Sequence, residues 1–186
     1  MFLLNAQQIK RHVESPRGQY LDIVDFDEEK LQHTSYYFSL GDSCEILTGT
    51  GDPQIIRLTQ QKPYLNLPPH GYALVKTHET FMLSDKLIGV LGQTTELAKH
   101  GLELVHSPFI DPLYYGRLLC GLSNRLSSVV RLQLGDSIGK ISFFDISDTY
   151  PVSMIKGSIQ ESTFKERRPR RDDDPVPRES EEPDDE

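Results

Sequence analysis

Short runs of β-branched and aromatic residues alternate with turn-forming residues along most of the chain. Nine such runs predict strands, at residues 36–40, 45–47, 55–58, 72–77, 86–91, 102–106, 117–123, 129–134 and 137–144. Turn signals separate them, namely Gly41-Asp42, the run from Gly49 to Asp52, Pro68-Pro69 and Gly135-Asp136. Many short strands at this spacing are typical of a sandwich or a jelly-roll barrel. We therefore predict a mostly β domain.

Two short helices interrupt this pattern. Asn5 is a good N-cap for a helix that runs to His12, because its side chain can accept a hydrogen bond from the first turn. A polar stretch at residues 94–99 predicts a second, internal helix. The β domain with its two helices is expected to occupy residues 1–164.

Composition and charge exclude several classes of protein. The chain has 186 residues, of which 37% are hydrophobic, so one domain with a sizeable core is expected. Its net charge of −8 argues against nonspecific nucleic-acid binding. No apolar stretch is long enough for a membrane span, and the N-terminus turns polar too soon for a signal peptide. Cys44 and Cys120 are too few for a disulfide framework, so we expect reduced core residues in a cytoplasmic protein.

The last 22 residues, 165–186, differ sharply from the rest. They contain ten acidic and six basic residues, four prolines and a single aliphatic residue, Val176. Such a segment cannot bury enough apolar surface to offset its ordering entropy, so we expect a disordered tail that is dispensable for folding. It is either a solubilising appendage or an interaction tail, with Arg167 to Arg171 as a basic patch for a protein partner.

Several catalytic signatures are missing from the sequence. It has no phosphate-binding glycine loop of the Walker type, no dinucleotide-binding fingerprint and no nucleophile elbow. The six histidines show no metal-site spacing, and the His-x-Glu and Pro-Cys-x-x-Cys pair of zinc-dependent base deaminases is absent. We therefore expect no zinc and no other resident metal.

The most informative segment spans residues 92–124. Ile110-Asp111-Pro112 is followed by Tyr114 and Gly116, and then by a predicted strand that ends at Asn124. About ten residues upstream, residues 95–102 read TELAKHGL. This arrangement resembles the dCTP deaminase and dUTPase superfamily, and most closely the dCTP deaminase-like proteins. The pattern there is Ser-Ser-Leu-Ala-Arg-x-Gly-Leu, then Ile-Asp-Pro-Gly, an aromatic residue and a glycine two residues on.

The resemblance covers about 165 residues in the same order. It includes the opening segment 1–13, the strand approach 26–41, the hairpin 67–83 and the glycine turn 134–139. Near the end, Lys156 and Gln160 match the spacing of the deaminase C-terminal lid, with Tyr150 close to the position of the lid tyrosine.

The resemblance implies a dUTPase-type β-barrel that forms a homotrimer, with each site shared between neighbouring subunits. The residues that it implies for substrate binding are Thr94, Thr95, Lys99, Asp111, Tyr114, Tyr150, Lys156 and Gln160. In that arrangement the threonines and Lys99 face the triphosphate of dCTP or dUTP, which brings its own Mg²⁺, and Asp111 lies by the sugar. Plain core packing remains the alternative interpretation of Tyr114 and Tyr115.

The departures from the pattern bear on catalysis. The deaminases have a proton-shuttling glutamate five residues after the glycine of the Asp-turn, and that position here is Gly121. Glu96 stands at the second serine position, where a carboxylate repels phosphate. The aspartate and arginine of the Ser-Tyr-Asp-Leu-Arg-Leu-Gly strand are replaced by Tyr37 and Ser39.

Three functions stay open on the sequence. The first is a divergent, zinc-independent dCTP deaminase of pyrimidine deoxyribonucleotide metabolism, whose competence Gly121 puts in doubt. The second is a dUTPase-like pyrophosphatase in which Asp111 orients a water. The third is a non-catalytic trimer of the same fold that senses nucleotides or binds a protein.

Overall fold

The computed structural model describes residues 1–15, 20–47 and 51–147. In these ranges the chain forms two α-helices, α1 (Ala6–Glu14) and α2 (Thr95–Lys99), and one 3₁₀ helix (Glu28–Lys30). Its strands in the same ranges are β1 (Phe2–Leu3), β2 (Leu21–Val24), β3 (Tyr36–Leu47), β4 (Gln54–Arg57), β5 (Tyr64–Leu67), β6 (Tyr72–Leu83), β7 (Leu87–Gly92), β8 (Leu102–Val105), β9 (Phe109–Ile110), β10 (Tyr115–Asn124), β11 (Val130–Gln133) and β12 (Ser137–Asp145).

A ten-stranded antiparallel sheet forms the body of the molecule. Its main path follows the order β8-β10-β6-β3-β12-β7-β9, while β1, β2 and β4 pair with β12, β6 and β3. Strands β5 and β11 make a separate two-stranded sheet. The prediction of a mostly β fold with one N-terminal and one internal helix is confirmed.

The alternation of side chains along β6 shows how the sheet encloses the core. Every second residue of this strand points inward and is buried: Ala73, Val75, Thr77, Glu79, Phe81 and Leu83. The largest side chains that they meet are also fully buried, and these include Tyr36, Phe38 and Phe143. The period of two in the sequence therefore corresponds to one face packed on the core.

Helix α1 begins at its predicted cap, and α2 lies within the predicted stretch 94–99. The Asn5 side chain accepts from Gln8 N at 3.0 Å and the Gln8 side chain accepts from Asn5 N at 2.9 Å, which makes a reciprocal capping box. Thr94 caps α2 by accepting from Leu97 N at 3.2 Å. None of the helices in the part of the chain that the structure describes is long and apolar enough to cross a membrane.

The predicted turn at Gly41-Asp42 is wrong, because β3 continues through both residues to Leu47. The pairing of β3 with β6 is irregular between Leu40 and Cys44, so the strand bends there instead of ending. Gly41 is required at the bend, since a Cβ would collide with the Arg117 side chain and lie 2.6 Å from Thr77 O. The turn at Gly135, with φ of 91°, is confirmed.

The cysteines are core residues, as predicted. Cys44 and Cys120 are free and buried, and both stand opposite Val75, one on each side of β6. Burial raises the pKa of each thiol to about 12, so both stay protonated at neutral pH.

The buried carboxylate of Glu79 on β6 bonds to both the 3₁₀ helix and strand β3. Glu79 is fully buried and accepts from Ser39 N at 2.9 Å and from Lys30 Nζ at 3.0 Å. The same ammonium donates to Ser39 Oγ at 2.6 Å. Ser39 holds the position where the resembling pattern has arginine, and Lys30 supplies a cation there from a different element.

The turn between β9 and β10 includes a backbone conformation that favours glycine. Leu113 has φ of 64°, and its side chain is half exposed. The turn is fastened to the end of β6, because Leu113 N donates to Ser84 O and Leu83 N donates to Tyr114 O. The resembling pattern has glycine where this chain has Leu113.

Replacing Lys30 tests the buried ion pair. We expect Lys30→Met to lower the free energy of unfolding by about 2–4 kcal/mol, because it leaves the Glu79 carboxylate buried without its cation. Urea titrations at one protein concentration measure this change. Lys10→Met is the matched control, since Lys10 pairs with Glu28 and Glu14 on the surface and should contribute less than about 1 kcal/mol. Equal effects of the two substitutions would contradict the role assigned to Lys30.

Replacing Leu113 by glycine tests the backbone strain. We expect Leu113→Gly to raise the free energy of unfolding by about 0.5–1 kcal/mol, because relief of the left-handed conformation exceeds the added flexibility of glycine. Val129→Gly, at an exposed position without positive φ, should instead destabilise the protein by a similar amount. Thermal and urea unfolding give both values, and a loss of stability in Leu113→Gly would count against strain at this turn.

Candidate functional site

The Asp-turn presents one carboxylate and anchors one aromatic ring. Asp111 is exposed, and its carbonyl accepts from Tyr114 N at 3.3 Å to close the turn. The Tyr114 ring packs against the core and its hydroxyl donates to Arg117 O at 3.0 Å. The packing interpretation of Tyr114 is therefore the one seen in the single chain. Gly116, with φ of 148°, has a backbone conformation that other residues rarely adopt.

Of the three residues at α2 that are predicted to bind phosphate, two are exposed and one is buried. The Thr94 hydroxyl is buried as the helix cap, so it is occupied within the chain. Thr95 and Lys99 are exposed, and Lys99 Nζ lies 3.3 Å from Glu96 Oε2. The carboxylate of Glu96 therefore offsets the positive charge that Lys99 would offer to a phosphate.

The Asp-turn and α2 lie at opposite ends of β10. The Asp-turn leads directly into Tyr115, the first residue of the strand, whereas Gly101 after α2 accepts from Arg125 N just beyond the last one. A ten-residue strand spans roughly 30 Å. One chain therefore does not bring Asp111 together with Thr95 and Lys99, and a site that uses both segments needs a second subunit.

Gly121 lies in the middle of β10, on the outer face of the sheet. It pairs with Leu74 of β6 and with Val105 of β8. The end of the Tyr72 ring lies over it, so that a Cβ at position 121 would be 2.5 Å from Tyr72 Cζ and 2.9 Å from Tyr72 Cε2. A glutamate at this position requires the Tyr72 ring to move away. Sequence reasoning missed Tyr72, because only the register of β6 and β10 shows that the two residues meet.

The acidic residues around Gly121 do not replace the glutamate. Glu103 accepts from Arg125 Nε at 2.7 Å, and Glu96 pairs with Lys99. Glu45 is on the same row of the sheet but two strand spacings away, which is roughly 10 Å. Among the residues that the structure describes, no free carboxylate therefore lies beside Gly121.

The Tyr72 hydroxyl is a neutral group without a partner in the described ranges. Its ring is half-buried, and the structure gives the hydroxyl no hydrogen bond to another described residue. Burial, with a smaller contribution from Cys120, raises the pKa of this phenol above its usual range. At neutral pH it is therefore protonated and can both donate and accept a hydrogen bond.

Three residues of the expected lid, Tyr150, Lys156 and Gln160, lie outside the described residues. Within residues 1–15, 20–47 and 51–147, no group of three or more His, Cys, Asp or Glu side chains could hold a metal ion.

Asn124, the last residue of the predicted pattern, is buried. Its side-chain amide donates to Leu67 O, Pro68 O and Ser128 O, so it fixes the end of β10.

Comparisons with known proteins agree with this architecture. The chain is 31% identical over 158 residues to a dCTP deaminase, dUMP-forming, of Beutenbergia cavernae, with 78% of this chain and 80% of that one covered. It is 28% identical over 141 residues to a dCTP deaminase of Pyrococcus horikoshii, covering 76% and 85%. The fold matches that of 2'-deoxycytidine 5'-triphosphate deaminase from Agrobacterium tumefaciens with a TM-score of 0.64 at 16% identity.

That structural match covers 77% of this chain and 47% of the neighbour, so it spans just under half of the neighbour's length. The sequence model of the dCTP deaminase-like family matches residues 3–146, which include α2, the Asp-turn and the whole of β10. The chain belongs to the dCTP deaminase-like family.

Proposed function

We propose that this protein is a homotrimer that binds a pyrimidine deoxynucleoside triphosphate, dCTP or dUTP, and deaminates dCTP very slowly or not at all. The observation that carries this proposal is the pair formed by Gly121 and Tyr72. It puts a phenol where the resembling deaminases have a proton-shuttling carboxylate.

The chemistry of deamination explains why that replacement matters. Hydrolytic deamination adds water at C4 of cytosine and releases ammonia, so a proton must leave the water and another must reach the amino group. A positioned acid–base group contributes typically 10²–10⁴-fold to such a step. The protonated Tyr72 hydroxyl is a poor proton acceptor, and Glu96 and Glu103 are held in ion pairs.

Nucleotide binding uses residues that remain available in the described chain. A neighbouring subunit would bring the exposed Thr95 hydroxyl and Lys99 ammonium of its α2 towards the Asp-turn, with Asp111 beside the sugar. Mg²⁺ carried by the triphosphate keeps several waters and needs few protein ligands, which suits a site without a metal cluster. The cation also weakens the repulsion between Glu96 and the phosphates. Tyr150, Lys156 and Gln160 complete this proposal as a C-terminal lid.

The outer face of the sheet supports assembly into a trimer. Val105, the register partner of Gly121, is exposed, and so are Leu119 and Tyr115 on β10. We take these exposed apolar side chains along one face as part of the surface that another subunit covers. The Asp-turn and α2 lie at opposite ends of β10, which also favours a site shared between subunits of a trimer.

Light scattering at micromolar concentration should therefore give the mass of three chains. Val105→Asp should shift the protein towards the monomer, because it puts a charge on the covered face. Val129→Asp, at an exposed residue of the β10–β11 connection, should leave the trimer intact. A monomeric unmodified protein would contradict the trimer and the shared site together.

The deaminase test uses two substitutions rather than one. We expect the unmodified protein to convert dCTP to dUTP at least 100-fold more slowly than an enzyme with a turnover of about 1 s⁻¹. Gly121→Glu alone should gain less than the double variant, because the new side chain must first push the Tyr72 ring aside. The double variant Tyr72→Ala/Gly121→Glu should gain at least tenfold over the unmodified protein, measured by chromatography of the nucleotides.

Tyr72→Ala alone is the matched control, since it opens the space without adding a carboxylate. Its activity should not exceed that of the unmodified protein. Brisk deamination by the unmodified protein, or a gain in Tyr72→Ala alone, would show that another group transfers the proton.

A dUTPase-like pyrophosphatase is the second candidate function. Asp111 favours it, because this exposed carboxylate has no side-chain hydrogen bond or ion pair within the described ranges and could orient a water for attack on phosphorus. The same chromatograms, run with dUTP, separate dUMP from the substrate. Release of dUMP that Asp111→Asn abolishes supports this candidate, and the absence of dUMP from the unmodified protein eliminates it.

A further inference from the structure

The register of two strands brings Tyr72 over Gly121. Tyr72 on β6 pairs with Ser123 on β10, so Gly121 is its diagonal neighbour, two residues along the partner strand. Diagonal neighbours on one face of a sheet are about 7–8 Å apart, within reach of an aromatic side chain. The contact is made by the far end of the ring, because the atoms closest to a Cβ at position 121 are the hydroxyl oxygen, Cζ and Cε2.

The two residues depend on each other sterically. Any side chain at position 121 displaces the ring, so the ring keeps its place only above glycine. The register partners of Gly121, Leu74 and Val105, are both aliphatic. The Tyr72 hydroxyl is the polar group nearest to position 121, and the residues that the structure describes give it no partner.

A hydroxyl and a carboxylate recognise different pyrimidines. An ionised carboxylate only accepts hydrogen bonds, so it suits the 4-amino group of cytosine and repels the 4-oxo group of uracil. A phenolic hydroxyl rotates, so it accepts from the amino group or donates to the oxo group. Replacement of the carboxylate by the hydroxyl removes the basis for choosing between the two bases.

We propose that Tyr72 is a specificity-determining residue whose hydroxyl meets the 4-position of the base, so that the site binds cytosine and uracil deoxynucleotides with nearly equal affinity. This inference rests on the proposed nucleotide-binding function. It adds that the Tyr72 hydroxyl is the group that contacts the base, and that the site therefore accepts both cytosine and uracil deoxynucleotides.

Calorimetry on the full chain tests the proposal with the α,β-imido analogues of dCTP and dUTP in the presence of Mg²⁺. These analogues resist cleavage between the α- and β-phosphates. We expect dissociation constants for the two that agree within about threefold. A preference of more than tenfold for either analogue would overturn the proposal.

Three variants locate the effect at the hydroxyl. Tyr72→Phe keeps the ring and should weaken the binding of both analogues by about two- to tenfold, which is the usual contribution of one hydrogen bond. Tyr64→Phe is the matched control, because Tyr64 is an exposed tyrosine on β5, and it should change neither constant. Tyr72→Ala/Gly121→Glu restores a carboxylate and should favour the cytosine analogue by more than tenfold.

The outcomes separate this proposal from the one on which it rests. Binding of neither analogue at millimolar concentration overturns the nucleotide-binding function and this inference with it. Binding that shows a strong base preference, or affinities unchanged by Tyr72→Phe, overturns only the role of Tyr72.

Discussion

The register between β6 and β10 is the constraint on which the rest of the structure depends. Strands β6 and β10 are neighbours in the ten-stranded sheet. Residues Tyr115 to Ser123 of β10 pair with β6, and the register shifts between Arg117 and Leu119. Because side chains alternate between faces, this register decides what each side of the sheet presents. It puts Glu79 and Cys120 in the core, and it puts Tyr72 and Gly121 together on the outer face.

The same strand separates the two segments that resemble a nucleotide site. β10 has the Asp-turn at its first residue and the end of α2 near its last, so its length of roughly 30 Å keeps them apart in one chain. An assembly with rotational symmetry can bring the α2 of one copy to the Asp-turn of the next. In the proposed trimer, a site that uses both segments would therefore lie between subunits.

Local signals predicted the fold class, and long-range contacts decided what the sequence could not. The Asn5 cap and the polar stretch at residues 94–99 predicted the two helices, and the runs of β-branched and aromatic residues predicted a mostly β fold. Gly41 looked like a turn because the Arg117 side chain that requires it is 76 positions away. Ser39 stands where the resembling pattern has arginine. The cation at this point comes instead from Lys30, which lies on the 3₁₀ helix. Of the candidate site, the residue types were predictable, but the contact between Tyr72 and Gly121 depends on the register.

That contact bears on position 121, where the resembling pattern has a glutamate and this chain has glycine. A glycine weakens the interior of a strand, because it adds backbone entropy and has no side chain to pack, and here the Tyr72 ring covers the backbone of β10 at this point. A glutamate at position 121 collides with the end of the Tyr72 ring as it stands, so an acid there requires that ring to swing away. The two positions are therefore coupled sterically, because the space above position 121 depends on where the Tyr72 ring lies.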